Sequence, residues 1–60
     1  MTIEKFIDYA YPTMMAEKEL KALHNCALDK RYEEARKHAV EAIKQLTEAH
    51  AALIIMEERS

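Results

Sequence analysis

The sequence predicts an all-α protein: a short N-terminal helix followed by a long antiparallel helical hairpin, assembling as a homo-oligomeric helical bundle. Over residues 29–58, apolar residues recur at alternating spacings of three and four, which keeps one side of a helix facing a partner. Two shorter amphipathic stretches precede this segment. The chain has 60 residues and a single cysteine, Cys26, so neither a large core nor an internal disulfide can stabilise it. We therefore expect that the chain is stabilised by association with further copies of itself.

We expect one helical domain, residues 1–60, with helices over about 2–11, 13–28 and 31–58. In the first segment Thr2 is a candidate N-cap, with acidic Glu4 in the first turn. Pro12 disfavours a helical conformation at Tyr11 and has no amide hydrogen, so this helix should end or kink sharply there. The apolar residues at helical spacing in this segment are Ile3, Phe6, Ile7 and Ala10.

The second helix is predicted to begin after Thr13, which becomes its N-cap. Asp29, Lys30 and Arg31 then interrupt the apolar pattern, and a turn there would join two antiparallel helices. One continuous long helix is the alternative, because no glycine marks the turn. Folding back buries two stripes that would otherwise face water, and Asp29 can cap the following helix. The apolar stripe of the second helix consists of Ala16, Leu20, Leu23 and Ala27.

The third helix carries the longest pattern of the chain. Alanine occupies one position of the heptad three times, at Ala35, Ala42 and Ala49, so a neighbouring helix can approach closely there. From Ala49 to Met56 apolar residues point all round the axis, which is typical of a helix that is buried all round. The complete predicted seam is Tyr32, Ala35, Ala39, Ala42, Leu46, Ala49, Leu53 and Met56. The predicted oligomer interface consists of Leu46, Ala49, Leu53, Ile54, Ile55 and Met56.

The segment ALDKRYEEA, residues 27–35, followed by Ala39 and Ala42, resembles the inter-helix turn and second helix of a tetratricopeptide-type hairpin. Leu23 and Arg31 stand where that family usually has small residues or glycine, and no second repeat follows. The resemblance therefore implies the geometry of a hairpin and not a peptide-binding solenoid.

Three histidines and one cysteine are the candidates for metal binding or catalysis. His24 and His38 would fall at a similar level of the hairpin, so a shared metal or proton site is one alternative. Two ligands are insufficient, however, and Cys26 falls on the opposite side of the helix from His24. We expect His24 and His38 to face solvent and Cys26 to be a buried free thiol. The sequence thus predicts no metal site, no cofactor, no catalytic residue and no enzymatic activity.

Charge and hydropathy exclude several further classes. Nine Lys plus Arg are interspersed with eleven Asp plus Glu, for a net charge of −2, so nonspecific nucleic-acid binding is not expected. A local basic pocket for a small anion stays open. No run approaches the length of a membrane span, and the N-terminus does not resemble a signal peptide. We expect a cytoplasmic protein without a membrane partner.

Three of the four aromatic residues lie between Phe6 and Tyr11. They could cap a helix end, or they could form a platform on which a base or ring stacks. In the second interpretation, basic side chains of a neighbouring subunit would hold phosphate. The candidate ligand-binding residues are Tyr9, Tyr11, Arg31, Arg36, Lys37 and Arg59.

The plan of a very short chain, a short leading helix, a proline and a long hairpin is similar to small accessory proteins of bacteriophages. These include helical sponges that oligomerise and sequester nucleotide immune signals between subunits, so the resemblance implies an inter-subunit pocket. We therefore expect a non-enzymatic homo-oligomeric binding protein that sequesters a nucleotide-like small molecule or a host factor, in the host cytoplasm if phage-encoded. The alternative is an adaptor that docks an exposed helical stripe onto another protein.

Overall fold

The computed structural model describes residues 8–59, which form two α-helices and, within that range, no strand. Helix α1 spans Ala10–Leu28 and helix α2 spans Tyr32–Arg59. Three residues connect them, and the helices pack against each other as an antiparallel hairpin. The predicted all-α class and the helical hairpin are confirmed. The predicted first helix lies largely outside the described residues, and so do its proposed N-cap Thr2 and its acidic residue Glu4.

Helix α1 begins before Pro12, and not after it. Both carboxylate oxygens of Asp8 accept backbone hydrogen bonds at the helix start, from the amide of Ala10 at 2.9 Å and from that of Tyr11 at 3.4 Å. Pro12 follows in the first turn, where its missing amide hydrogen leaves no helical bond unmade. The predicted helix end at Tyr11 is therefore wrong. The predicted N-cap Thr13 is wrong too, since its hydroxyl donates back to the carbonyl of Tyr9 at 2.8 Å from inside the helix.

The turn is a Schellman motif built without glycine. The amide of Arg31 donates to the carbonyl of Cys26 at 2.8 Å, and the amide of Lys30 donates to that of Ala27 at 3.0 Å. This pairing requires a left-handed residue after the helix, and Lys30 takes that conformation with φ of 62°. Asp29 is the C-cap of α1, so its prediction as the N-cap of the next helix is wrong.

Small residues form the core of the hairpin. Alanines at 35, 42 and 49 are buried, as the heptad predicts. Of the other predicted seam positions, Ala39 is half-buried, whereas the assignment is wrong for the exposed residues Tyr32, Leu46, Leu53 and Met56. The positions between the buried alanines that turn inward are instead His38 and Gln45, which are half-buried, and Ala52, which is buried. The buried residues of the described range are Pro12, Ala16, Cys26, Ala35, Ala42, Ala49 and Ala52.

The hairpin is a single layer of two helices with unequal lengths. Its radius of gyration is 14.7 Å, whereas a compact domain of this length measures about 10 Å. Helix α2 has 28 residues and α1 has 19, so α2 extends nine residues, about 13 Å, beyond the start of α1. Within residues 8–59 neither helix is long and apolar enough to cross a membrane.

Candidate functional site

The large apolar side chains of the hairpin lie on its surface. Among residues 8–59, the residues that form the buried hydrophobic core are alanines and Cys26, and no large side chain is fully buried. Contiguous exposed apolar patches of more than a few hundred Å² mark interaction sites in soluble proteins. The exposed large apolar residues are Tyr9, Tyr11, Met14, Leu20, Leu28, Tyr32, Val40, Ile43, Leu46, Leu53, Ile54, Ile55 and Met56.

Helix α2 has two chemically different flanks beside its buried alanines. A glutamate directly precedes each of the alanines at 35, 42 and 49. The residue four positions after each alanine is apolar. At about 100° per residue, the glutamates lie about 100° to one side of the contact line and the apolar residues about 40° to the other. We call the first set the acidic flank; it consists of Glu34, Glu41 and Glu48. The second set, the apolar flank, consists of Ala39, Leu46 and Leu53.

Helix α1 continues the apolar flank across the hairpin. Leu20 lies four residues after buried Ala16, and Ala27 lies four residues after half-buried Leu23. In two antiparallel helices, positions rotated equally from the contact line fall on the same side of the pair. Thr13 and Tyr32, three residues before Ala16 and Ala35, point to that side as well. Together these residues form one broad surface, the apolar face: Thr13, Leu20, Ala27, Tyr32, Ala39, Leu46 and Leu53.

Exposure values agree with this arrangement. Leu20 and Leu46 expose 46% and 47% of their surface, as expected for side chains beside a helix contact, and Leu53, which lies past the start of α1, exposes 48%. Val40 and Ile43, on the outer side of α2, expose more than 60%. The apolar face is therefore partly desolvated within one chain and would be completed by an additional layer.

The predicted oligomer interface is only partly available on the surface. Leu46 and Leu53 belong to the apolar face, and Ile54, Ile55 and Met56 are exposed near the end of α2. Ala49, the remaining predicted interface residue, is buried within the single chain. A shallow depression at this end of α2 is lined by His50, Leu53, Ile54, Met56 and Glu57. Leu20 was predicted to lie in the contact between the two helices. Its position four residues after buried Ala16 indicates that it lies beside this contact instead.

The predicted ligand-binding residues lie at two ends of the molecule. Tyr9 and Tyr11 are exposed by 43% and 63% at the start of α1. Arg31 lies in the turn, about 30 Å away along α1, and Arg36 and Lys37 follow on α2 at levels about 17–21 Å from the tyrosines. One chain alone therefore does not bring the two tyrosines and these three basic residues together. Arg59, the sixth candidate, is the last residue of α2.

Arg31 is already engaged within its own chain. Its guanidinium donates from Nε to Oε1 of Glu34 at 3.2 Å, makes a second bond to Oε2, and lies 3.9 Å from Oδ2 of Asp29. The hydrogen bond and the charge of Arg31 hold the pKa of the Glu34 carboxyl below its usual range, and the same contact raises the pKa of Arg31. Binding a phosphate through Arg31 would compete with these carboxylates.

A polar pair lies inside the helix contact, where the sequence predicted a solvent-facing imidazole. Nδ1 of His38 lies 2.7 Å from Oε1 of Glu19, and both side chains are partly buried. The prediction for His38 is therefore wrong, whereas His24 is exposed and Cys26 is a buried free thiol, as predicted. Residues 8–59 contain no group of three or more side chains that could hold a metal ion.

Comparison of this chain with protein-family models, with curated proteins and with solved structures found no match.

Proposed function

We propose that this chain is a non-enzymatic binding protein that works as a homo-oligomer of helical hairpins. The observation that carries the proposal is the distribution of apolar side chains: alanines form the interior, and leucine, isoleucine, methionine and tyrosine form the surface. Fully burying one such large side chain contributes about 1.5–3 kcal/mol. A 60-residue chain that leaves most of them exposed gains little from its own core, and association supplies the missing burial.

The binding activity is proposed to be stoichiometric capture. The start of α1 presents Tyr9 and Tyr11 beside the part of α2 that extends past it, and a neighbouring subunit would enclose this end. Pockets at such junctions are mostly apolar with a few polar contacts, which suits a ring-containing ligand held by phosphate-binding cations. A nucleotide-like small molecule is the proposed occupant, and the sequestration of a host immune signal by a phage protein is the finer form of this proposal.

A protein-binding adaptor is the second candidate. The observation that favours it is the pair Val40 and Ile43, which expose more than 60% of their surface on α2 and lie outside the apolar face. A stripe of this kind fits the groove or helix of another protein. In that case the ligand would be a polypeptide and the aromatic pair at the start of α1 would have only a structural role.

Two measurements test the proposal. Light scattering across micromolar concentrations should give a mass of two or more chains, and a folded monomer throughout would contradict the homo-oligomer. Native mass spectrometry of protein isolated gently from expressing cells should then show a retained small molecule, released by mild denaturation. An oligomer that retains and binds no small molecule, yet binds a protein through Val40 and Ile43, would favour the adaptor.

A further inference from the structure

The apolar face has matched large and small side chains. Residues equally far from the turn lie at similar levels of the two helices, because each residue rises about 1.5 Å along its axis. On the apolar face, each level then combines one large residue with one small residue. Going away from the turn, the pairs are Tyr32 with Ala27, Leu20 with Ala39, and Leu46 with Thr13. The large member alternates between α2, α1 and α2.

This alternation makes the face complementary to itself. A two-fold axis parallel to the helices places α1 of one copy over α2 of the other. Each residue keeps its height along the helix axis in this rotation. Leu20 of one copy then lies over Ala39 of the other copy, and Leu46 lies over Thr13. Large side chains meet small ones throughout, which is how helix layers interdigitate.

We propose that a second copy of this chain packs on the apolar face about this two-fold axis, forming an antiparallel four-helix bundle with both turns at the same end. The inference rests on the proposed homo-oligomer and specifies its surface and symmetry. Each α1 lies beside α2 of its own chain and α2 of the other, and every neighbouring pair is antiparallel, as in four-helix bundles of up-and-down topology.

Charge selects this face for contact between identical copies. The opposite side of α2 carries the acidic flank, and a second copy packed there would cover the carboxylates of Glu34, Glu41 and Glu48. Removing ionised groups from water without partners is unfavourable. The apolar face has no ionisable group other than the Tyr32 phenol among its seven residues, so burying it removes no charged group from water.

The size of the face agrees with a stable dimer. Helix α1 has 19 residues, so the shared length of the hairpin is about 28 Å, and two adjacent helices are about 20 Å wide. The face covers about 600 Å² per copy in projection, or about 1,200 Å² for two copies. Specific interfaces begin at about that total area.

Matched charge substitutions test which face is used. Leu46→Glu and Leu20→Glu place a carboxylate in the proposed interface and should at least halve the native mass. Val40→Glu and Met14→Glu, which alter side chains exposed by 66% and 64% outside the apolar face, should leave the mass unchanged. An oligomer dissociated by the second pair and not by the first would overturn the inference while leaving the homo-oligomer intact. A native monomer would instead contradict the proposed function itself.

A second test uses the native sequence and does not depend on the folding of any variant. Hydroxyl-radical labelling of Leu20 and Leu46 should slow several-fold when the protein is concentrated from monomer to oligomer, whereas labelling of Val40 and Met14 should not change. Equal protection of both pairs would contradict the assigned face.

Spin labels test the symmetry. With Cys26→Ser to remove the native thiol, a label at Glu33→Cys beside the turn should give inter-copy distances of about 10–25 Å. Turns at opposite ends would give about 30 Å or more, given the length of α1, and would overturn the proposed axis.

Discussion

Nδ1 of His38 on α2 and Oε1 of Glu19 on α1 lie 2.7 Å apart in the middle of a helix contact formed mostly by alanines. An ionised carboxylate can only accept a hydrogen bond, so the imidazole donates from Nδ1. The pair joins residues 19 positions apart along the chain and connects the two helices through side chains. It therefore favours one register of α1 against α2, in a seam where alanines alone would specify register weakly.

Removing either member of this pair should destabilise the hairpin. Glu19→Ala leaves the partly buried imidazole without its acceptor, and we expect a loss of about 1 kcal/mol in the free energy of unfolding. His38→Ala should cost a similar amount, and the double variant should cost clearly less than the two losses added. Chemical denaturation of the four proteins measures this coupling. Strictly additive losses would show that the two side chains do not interact in solution.

Lys30 should be replaceable by glycine with a gain in stability. A residue with a Cβ in the left-handed region is strained by about 1–2 kcal/mol, and glycine is not, although glycine loses more backbone entropy on folding. For Lys30→Gly we expect a net gain of about 0.5–1 kcal/mol in thermal or chemical unfolding. Asp29→Gly, at a residue with negative φ, is the matched control and should not stabilise the protein. A loss at Lys30→Gly would mean that the turn differs from a Schellman motif.

The heptad of alanines could be predicted from the sequence, but the residues between them could not. Hydrophobicity assigned the rest of the seam to Leu46 and Leu53, whereas the structure places His38 and Gln45 there. Close approach of the two backbones at the alanines leaves little room for leucine between the helices. Glu19 on the facing helix supplies a partner for His38, and a partner distant in sequence is not visible in the periodicity of one helix.

The two helix ends that were predicted wrongly depend on backbone bonds. Proline breaks a helix when it lies in the middle. Asp8, four residues earlier, accepts hydrogen bonds at the helix start, so Pro12 falls in the first turn, where no helical hydrogen bond is lost. The spacing of Asp8 and Pro12 was the available signal. At the turn, the left-handed residue is Lys30, and without glycine the sequence did not mark the position. For the candidate site, Leu46 and Leu53 were predicted, but Leu20 was assigned to the core.

Ala42 should tolerate no larger side chain. It is buried where the two helices approach, and Ala42→Leu should overpack this contact at a cost of about 1–3 kcal/mol. Ala52 is also buried, so Ala52→Leu should be costly as well. Ala51→Leu, on an exposed position of the same helix, should change stability by less than about 0.5 kcal/mol. Thermal melts of the three variants provide the test, and equal melting temperatures for Ala42→Leu and Ala51→Leu would contradict the assigned seam.

Acid should weaken the start of α2. The folded pKa of Glu34 is lowered from an ordinary value of 4.5 by its hydrogen bond and ion pair with Arg31. A carboxyl group whose pKa is lower in the folded than in the unfolded chain stabilises the fold when the pH is above its unfolded-state pKa. This stabilisation is lost as the pH falls through its folded-state pKa. The melting temperature should therefore decrease as the pH falls below the ordinary glutamate pKa of 4.5, by less in Arg31→Gln than in the native protein. Because both side chains are exposed to solvent, salt should reduce the difference. An identical acid dependence for Arg31→Gln would exclude this pair as a cause.

Tyr11 should be needed for retention of a ring-containing ligand, if the protein captures one. Its side chain is exposed by 63% near the expected junction between subunits, and the loss of one stacking surface costs about 1–3 kcal/mol per base. Tyr11→Ala should abolish ligand retention and leave the oligomeric mass unchanged. Arg59→Ala, at the same end of the hairpin, should weaken binding only if the ligand carries phosphate. Met14→Ala, another exposed apolar residue in the first half of α1, is the control and should bind normally. Calorimetry against cyclic and linear nucleotides is the measurement, and a native oligomer that binds none of them would favour the adaptor instead.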